Sequence, residues 1–160
     1  DFYSVEDLAS VVERSAKLLN MAIDPEACLE IGRRARGTPR IANRLLRRVR
    51  DHAQVAGMAK IDGPFSAKAL DDLGTDRFGL DDLDRKVLKL VIESFDGGPV
   101  GVESLAASLN EEVDTLVDTV EPYLLKAGYI KRTARGRVAS KLAYGHLGIK
   151  PKEKQGRLFE

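Results

Sequence analysis

The chain has 160 residues, 43% of them hydrophobic, and a formal net charge of +1, so it can bury one or two small cores. No apolar run approaches the roughly 20 residues that cross a bilayer, and no cleavable signal pattern opens the chain, so nothing in the sequence indicates a membrane protein. The single Cys28 excludes an internal disulfide and is typical of the reducing cytoplasm, where we expect it to be an inert buried thiol.

The first half of the chain carries four helix start signals. Ser4 and Asp7 form a capping-box pattern, and Asp24-Pro25 and Thr38-Pro39 each place a capping residue before a proline at the first helical position. Ser66, after a turn, can cap a short fourth helix. The predicted helices run over residues 5 to about 20, 25 to about 35, 39 to beyond 53, and 66 to about 72. We therefore predict a small all-helical bundle.

The second half predicts a different arrangement after an irregular stretch at residues 73–79. Three helices are predicted over residues 80–95, 102–109 and 111–127, and Pro122 should kink the third. Two short strands, 129–133 and 138–140, flank the turn Ala134-Arg-Gly136. This is the order of a winged helix-turn-helix, so the predicted fold class is mainly α: a helical bundle over residues 1–74, a winged helix over 75–150, and a polar, disordered tail over 151–160.

A block of eight arginines without an acid lies between Arg33 and Arg50. Within it, Gly37-Thr-Pro-Arg40 combines a helix N-terminus with an arginine in the first helical turn, and both features suit a phosphate group. A solvated arginine face with a good cap would give the same spacing. Two interpretations therefore remain open for Arg40.

A second basic group surrounds the predicted hairpin and comprises Lys131, Arg132, Arg135, Arg137 and Lys141. These side chains can contact a DNA backbone, although charges on short edge strands also prevent aggregation. The preceding helix shows carboxylates on its predicted outer face, at Glu111, Asp114, Asp118 and Glu121. Because carboxylates are repelled by phosphates, we expect the hairpin rather than this helix to contact DNA.

Several classes of site have no support in the sequence. There is no G-x-x-x-x-G-K-[ST] phosphate loop, His52 and His146 are isolated, and nothing gives Cys28 a partner at metal-ligand spacing. We therefore expect no metal site, no nucleophilic catalysis and no ATPase activity from this chain alone. Because the chain starts with Asp1 rather than Met, we expect a piece of a longer protein.

Six motifs are distributed over nearly the whole chain up to about Ile149. They are Phe2-Tyr-Ser-Val, the arginine block from Arg33 to Arg50, Asp84-Arg-Lys, Gly97-Gly-Pro-Val-Gly101, Glu121-Pro-Tyr-Leu and Arg132-Thr-Ala-Arg-Gly-Arg137. Together they resemble the RuvB family of bacterial Holliday-junction branch-migration motors. In that family an AAA+ ATPase core precedes a helical lid and a winged-helix head. The resemblance implies that residues 1–74 are the lid and residues 75–150 the head.

The resemblance also implies roles for individual residues. Arg40 matches a lid arginine that senses the γ-phosphate of ATP, and Tyr3 matches an aromatic residue that lines the nucleotide pocket. Arg132 and Arg137 match wing arginines that touch DNA, with Arg135 close by. Val113 departs from family members that carry a basic residue at that position, so no helix-borne DNA contact is implied there.

The implied cofactor is ATP with Mg²⁺, the metal being held by an ATPase core outside this chain. The implied partners are Holliday-junction or duplex DNA, RuvA, RuvC and further copies in a homo-hexamer, with no membrane. Two alternatives are a non-enzymatic winged-helix module, acting as regulator or adaptor, and a clamp-loader-like AAA+ relative.

Overall fold

The computed structural model describes residues 2–152, and the chain divides into two compact units after Asp82. We call the part up to Asp82 the first unit and the part from Leu83 the second unit. The domain bounds given above, at residues 74/75 and 150/151, stay predictions. Of the predicted disordered tail, residues 153–160 lie outside the described residues, whereas Lys152 forms an ion pair with Asp96 at 2.6 Å.

The described part of the first unit is helical: α1 (Val5–Leu18), α2 (Pro25–Arg34), α3 (Pro39–Ala56) and α4 (Gly63–Asp72). Two predicted caps are confirmed, since the Ser4 hydroxyl accepts from the Asp7 N–H at 3.0 Å and the Asp24 carboxylate from the Ala27 N–H at 2.8 Å. The start of α4 was predicted wrongly. Asp62 caps it at 2.8 Å through the Phe65 N–H, and Ser66 lies buried inside the helix.

One core fills the first unit, and it is made of aliphatic side chains from α1 to α4. Its largest fully buried side chains are Leu8, Val12, Ile31, Leu46, Val49 and Leu70. Gly32 lets α1 and α2 approach closely, because a Cβ there would lie 2.9 Å from the carbonyl oxygen of Val5. A bridge between Ile23 and Ile61 ties the two connecting loops together.

The second unit has the order of a winged helix-turn-helix, which confirms the predicted fold class. Its elements are α5 (Asp82–Ser94), α6 (Val102–Leu109), α7 (Val113–Thr115), a π-helical turn (Leu116–Val120), α8 (Glu121–Lys126), β1 (Ile130–Thr133), β2 (Gly136–Ala139) and α9 (Lys141–Leu147). Helix α9 was not predicted, because seven residues that include Gly145 give little periodic signal. None of the helices within residues 2–152 is long and apolar enough to cross a membrane.

The predicted kink at Pro122 takes the form of the π-helical turn that precedes it. Proline has no N–H to donate to the carbonyl group four residues earlier, at Asp118, and its ring would collide with that carbonyl. The wider turn from Leu116 to Val120 accommodates this by lengthening the hydrogen-bonded loop. As a result, the residues that follow are rotated from the face that α-helical spacing would give them.

The hairpin of β1 and β2 pairs Arg132 directly with Arg137, and a third segment joins it. Val100 exchanges two backbone hydrogen bonds with Arg137, at 3.0 and 2.7 Å. Glycines permit this approach, because a Cβ at Gly98 would overlap the carbonyl oxygen of Arg137 and one at Gly136 would overlap that of Val100. The Gly97–Gly101 motif therefore supports the hairpin and does more than end α5.

We expect Gly98→Ala to open this junction. Gly98 has φ of +91°, a conformation costly for any residue with a Cβ, so the substitution should lower the free energy of unfolding by about 2 kcal/mol or more. Faster hydrogen exchange at the amides of Val100 and Arg137 would report the loss. Gly145→Ala is the control, because a Cβ there meets nothing within 4 Å and should leave exchange unchanged or slower. Wild-type exchange in Gly98→Ala would contradict the close approach.

Candidate functional site

The turn between α2 and α3 presents the start of α3 without the predicted side-chain cap. Arg36 and Gly37 adopt left-handed φ values of +59° and +70°. The Thr38 hydroxyl donates to the carbonyl oxygen of Arg36 at 3.3 Å and makes no capping bond to α3. The predicted start is confirmed, because Thr38 is the N-cap residue and α3 begins at Pro39, but the expected side-chain capping bond is not made. The first N–H groups of α3 therefore keep their capacity to donate, and such a helix start can bind an anion.

The structure brings Tyr3 to the same turn as Arg40. The Tyr3 N–H donates to the carbonyl oxygen of Gly37 at 3.0 Å, and Phe2 packs where a side chain on Gly37 would lie. The Tyr3 side chain is 53% exposed, and Arg40, in the first turn of α3, is exposed as well. The two residues assigned to nucleotide are thus both exposed and both attached to this turn, and their role there stays a prediction.

The arginine block divides into structural and exposed members. Arg34 is only 3% exposed and donates to Glu30 at 2.8 Å, to Asp71 at 2.6 Å and to the carbonyl oxygen of Thr75 at 2.8 Å. It therefore joins α2, α4 and the loop after α4 in one network. Nothing in the sequence distinguishes Arg34 from its neighbours, because its partners lie up to 41 residues away.

Four arginines of α3 point to solvent instead, and at helical spacing they share one face. Within residues 2–152 their guanidinium groups have no hydrogen bond or ion pair. They are Arg40, Arg44, Arg47 and Arg48. Of these, Arg40 alone lies in the first turn, beside Gly37 and Tyr3. Its role there stays a prediction.

Four of the five predicted DNA contacts are exposed. Lys131, Arg132 and Arg135 lie on the hairpin, and Lys141 begins α9. Arg137 differs, since its side chain is only 14% exposed. The hairpin turn is ordered by the Thr133 hydroxyl, which donates to the carbonyl oxygen of Gly136 at 2.9 Å and accepts from the Arg135 N–H at 3.2 Å. The surface is therefore cationic, with Arg137 largely withdrawn from it.

The position of Glu121 differs most from the prediction made from the sequence. We predicted it on the exposed acidic face, but it is 3% exposed, whereas Glu111, Asp114 and Asp118 are exposed as predicted. Its carboxylate accepts hydrogen bonds from Arg132 and Arg137, two of the three hairpin arginines. Arg132 Nη2 lies 2.5 Å and Arg137 Nη2 3.1 Å from Oε2, and Arg137 Nε donates to Oε1. The π-helical turn explains the error, because ideal α-helical spacing does not continue through it.

The environment of Glu121 keeps it ionised. Burial by itself would raise the pKa of Glu121. Hydrogen bonds from Arg137 and Arg132, together with their positive charges, outweigh the burial and hold the pKa below its ordinary value. The group is therefore a carboxylate at neutral pH, and it offsets one of the two positive charges that face each other across the hairpin.

This lowered pKa makes the stability of the second unit depend on pH. A carboxyl group whose pKa is lower in the folded chain stabilises the fold above its unfolded pKa, about 4.3 for Glu, and this stabilisation is lost as the pH falls through the folded pKa. The free energy of unfolding of wild type should therefore exceed that of Glu121→Gln at neutral pH. This difference should disappear below about pH 4. Urea denaturation followed by tyrosine fluorescence measures it, since Tyr123, Tyr129 and Tyr144 lie in this unit.

Asp118→Asn is the control for the pH series, because Asp118 is exposed on the same helical segment and has no hydrogen bond or ion pair within residues 2–152. It should show no gap of this kind. A gap between wild type and Glu121→Gln that stays constant from neutral to acidic pH would show that ionisation of Glu121 is not its source.

The other candidate reactive groups are the Cys28 thiol and side chains that could bind a metal ion. Cys28 is buried, and desolvation, followed by the nearby Glu13 and Asp24 charges, raises its pKa to about 11, so the thiol stays protonated at neutral pH as expected. Among residues 2–152 no three His, Cys, Asp or Glu side chains are grouped so as to hold a metal ion.

Comparison with known proteins matches both halves of the chain to one family. Residues 3–76 match the family model of the RuvB AAA lid domain, and residues 77–148 match that of the RuvB C-terminal winged helix domain. The Thermotoga maritima RuvB Holliday junction branch migration motor is 47% identical, with a TM-score of 0.89. A single-substitution mutant of it is 46% identical, also with a TM-score of 0.89. Both comparisons cover 94% of this chain and 50% of the other, so the chain spans about half the length of these relatives.

Proposed function

The chain belongs to the RuvB family, and we propose that it serves as the lid and the DNA-binding head of an ATP-driven motor that migrates Holliday junctions. In this proposal the first unit is the lid and the second unit is the head. The observation that carries it is the pairing of two surfaces on one chain: an uncapped helix start beside Arg40 and Tyr3, and a cationic wing formed by the hairpin.

On the lid, Arg40 and Tyr3 would hold ATP. The uncapped N–H groups of α3 favour negative charge, and the guanidinium of Arg40 can donate two parallel hydrogen bonds to phosphate oxygens. Tyr3 is held to Gly37 through its backbone N–H, and its exposed ring can cover one side of a base or ribose. Hydrolysis of ATP, with Mg²⁺ bound by an ATPase core, supplies the free energy for movement.

On the head, the wing would contact the DNA backbone. Lys131, Arg132, Arg135 and Lys141 present cations, while Glu111, Asp114 and Asp118 repel phosphates from the helix that a helix-turn-helix usually inserts in the major groove. Contact through the wing alone favours backbone over base edges, which suits a motor that must move along any sequence.

The wider assembly follows from the family as part of the proposal. The full-length protein would form a homo-hexamer around duplex DNA, with RuvA holding the junction and RuvC acting with the complex. We place this work in the cytoplasm, where chromosomal DNA lies and where the single cysteine stays a thiol. A non-enzymatic winged-helix module would need no phosphate-facing helix start beside an exposed Tyr3.

We expect Arg40→Ala in the full-length protein to lower the rate of ATP hydrolysis about tenfold to a hundredfold, because one charged hydrogen bond to phosphate typically contributes about 1.5–3 kcal/mol. Arg44→Ala is the matched control: it lies one turn later on the same exposed face and should leave hydrolysis unchanged. Steady-state phosphate release measures both. If Arg40→Ala hydrolyses ATP like wild type, Arg40 belongs to the solvated face.

We expect the chain to bind unrelated duplexes with similar, salt-sensitive affinity. Each lost phosphate contact should reduce the slope of log affinity against log salt by about 0.9, so Arg132→Ala and Arg135→Ala should each flatten the slope by that amount. Fluorescence anisotropy over a salt series measures it. As a control, Asp114→Ala with Asp118→Ala should bind equally or slightly more tightly. Loss of binding in the helix variants but not in the wing variants would refute the wing assignment.

A further inference from the structure

The two wing arginines that face each other, Arg132 and Arg137, share one carboxylate. Arg132 and Arg137 lie directly opposite each other on β1 and β2, where like charges repel. Glu121, from α8, lies under both and accepts a hydrogen bond from each. The three groups together carry one net positive charge. The wing therefore offers one cation at this place rather than two.

The two arginines differ in how firmly they are held. Arg137 donates to Glu121 through Nε and Nη2, its backbone is bonded to Val100 on both sides, and its side chain is 14% exposed. Arg132 donates through Nη2 alone, and its side chain is 53% exposed. A guanidinium carries five N–H donors, so Arg132 can hold Glu121 and still donate to a phosphate.

From this geometry we propose that Glu121 is the positioning residue of the DNA contact. It holds Arg137 in place as a structural support of the wing, and it presents Arg132, in a fixed orientation, to the phosphate backbone. The inference rests on the proposed function, because it presumes that the wing contacts duplex DNA. It assigns the contact itself to Arg132 and gives Arg137, which the family resemblance made a DNA contact, a supporting role.

If Glu121 instead acted by repelling phosphate, its removal would change the affinity for DNA in the opposite direction. A carboxylate beside a DNA-binding surface ordinarily repels phosphate, so its removal tightens binding. A carboxylate that orders a long side chain before binding lowers the entropy lost on binding, so its removal weakens it. Glu121 is suited to the second role because it is buried and faces the arginines rather than solvent.

The test compares Glu121→Gln with Asp118→Asn in the full 160-residue chain. Both substitutions change one carboxylate to an amide on the same helical segment, so both remove the same charge, but only Glu121 touches the arginines. Anisotropy on a duplex of random sequence gives the affinities. Glu121→Gln should bind about three- to tenfold more weakly than wild type, as expected for releasing one long side chain. Asp118→Asn should bind equally or more tightly.

A second comparison separates positioning from general damage to the fold. In an Arg132→Ala background, Glu121→Gln should cause little further loss, because the contacting side chain that Glu121 positions is already gone. If Glu121→Gln is unfolded under the assay conditions, Glu121→Asp replaces it. That variant keeps the charge but shortens the reach by one methylene, and it should weaken binding in the same background-dependent way.

Each outcome bears on a different conclusion. If wild type binds duplex DNA without salt dependence, the proposed function fails. If wild type binds as proposed but Glu121→Gln matches Asp118→Asn, or if the Glu121→Gln loss is undiminished without Arg132, the positioning role is wrong. The same criterion applies to Glu121→Asp: wild-type affinity in a folded variant would overturn the inference.

Discussion

The buried carboxylate of Glu121 is the constraint on which the head depends. A two-stranded hairpin is only marginally stable by itself, and this one places two arginines opposite each other. Burying a charge is costly unless it is paired and hydrogen-bonded, and Glu121 meets that condition with three hydrogen bonds from two guanidinium groups. The same bonds join α8, β1 and β2. Because Val100 fixes the backbone of Arg137 as well, the wing is supported from both sides.

In the first unit, too, a buried charged side chain joins several elements, but there it is an arginine rather than a carboxylate. Arg34 lies inside a network of Glu30, Asp71 and the carbonyl oxygen of Thr75, which ties α2 to α4. That network stabilises the helix that ends just before the Gly37 turn, and so it supports the surface on which Arg40 and Tyr3 lie. An arginine block that looks uniform in sequence thus has one member that builds the lid and several that face solvent.

How much the sequence could predict follows from the range of each interaction. The caps at Ser4 and Asp24 involve partners three residues away, and local rules found them. The winged-helix order followed from periodicity and turn residues, which are also local. Glu121 was misplaced because its partners lie 11 and 16 residues away and because the π-helical turn breaks the α-helical period. Of the candidate site, the basic surface was therefore predictable and its internal pairing was not.

This pairing changes how mutations in the wing should be interpreted. Counting charges along the hairpin treats Arg132 and Arg137 as equal contacts and Glu121 as a repelling acid. The proposed roles differ: Arg132 is the contact, and Arg137, which is 14% exposed, is a support held by Glu121. Loss of affinity alone cannot separate a contact from a support, because both kinds of substitution weaken binding. The slope of log affinity against log salt can separate them. It reports how many phosphates are neutralised and is insensitive to how well the remaining side chains are ordered. In the proposed function the second unit must bind every DNA sequence alike. Fixing one cation in place would limit the entropy lost at each binding event without adding any preference for base sequence.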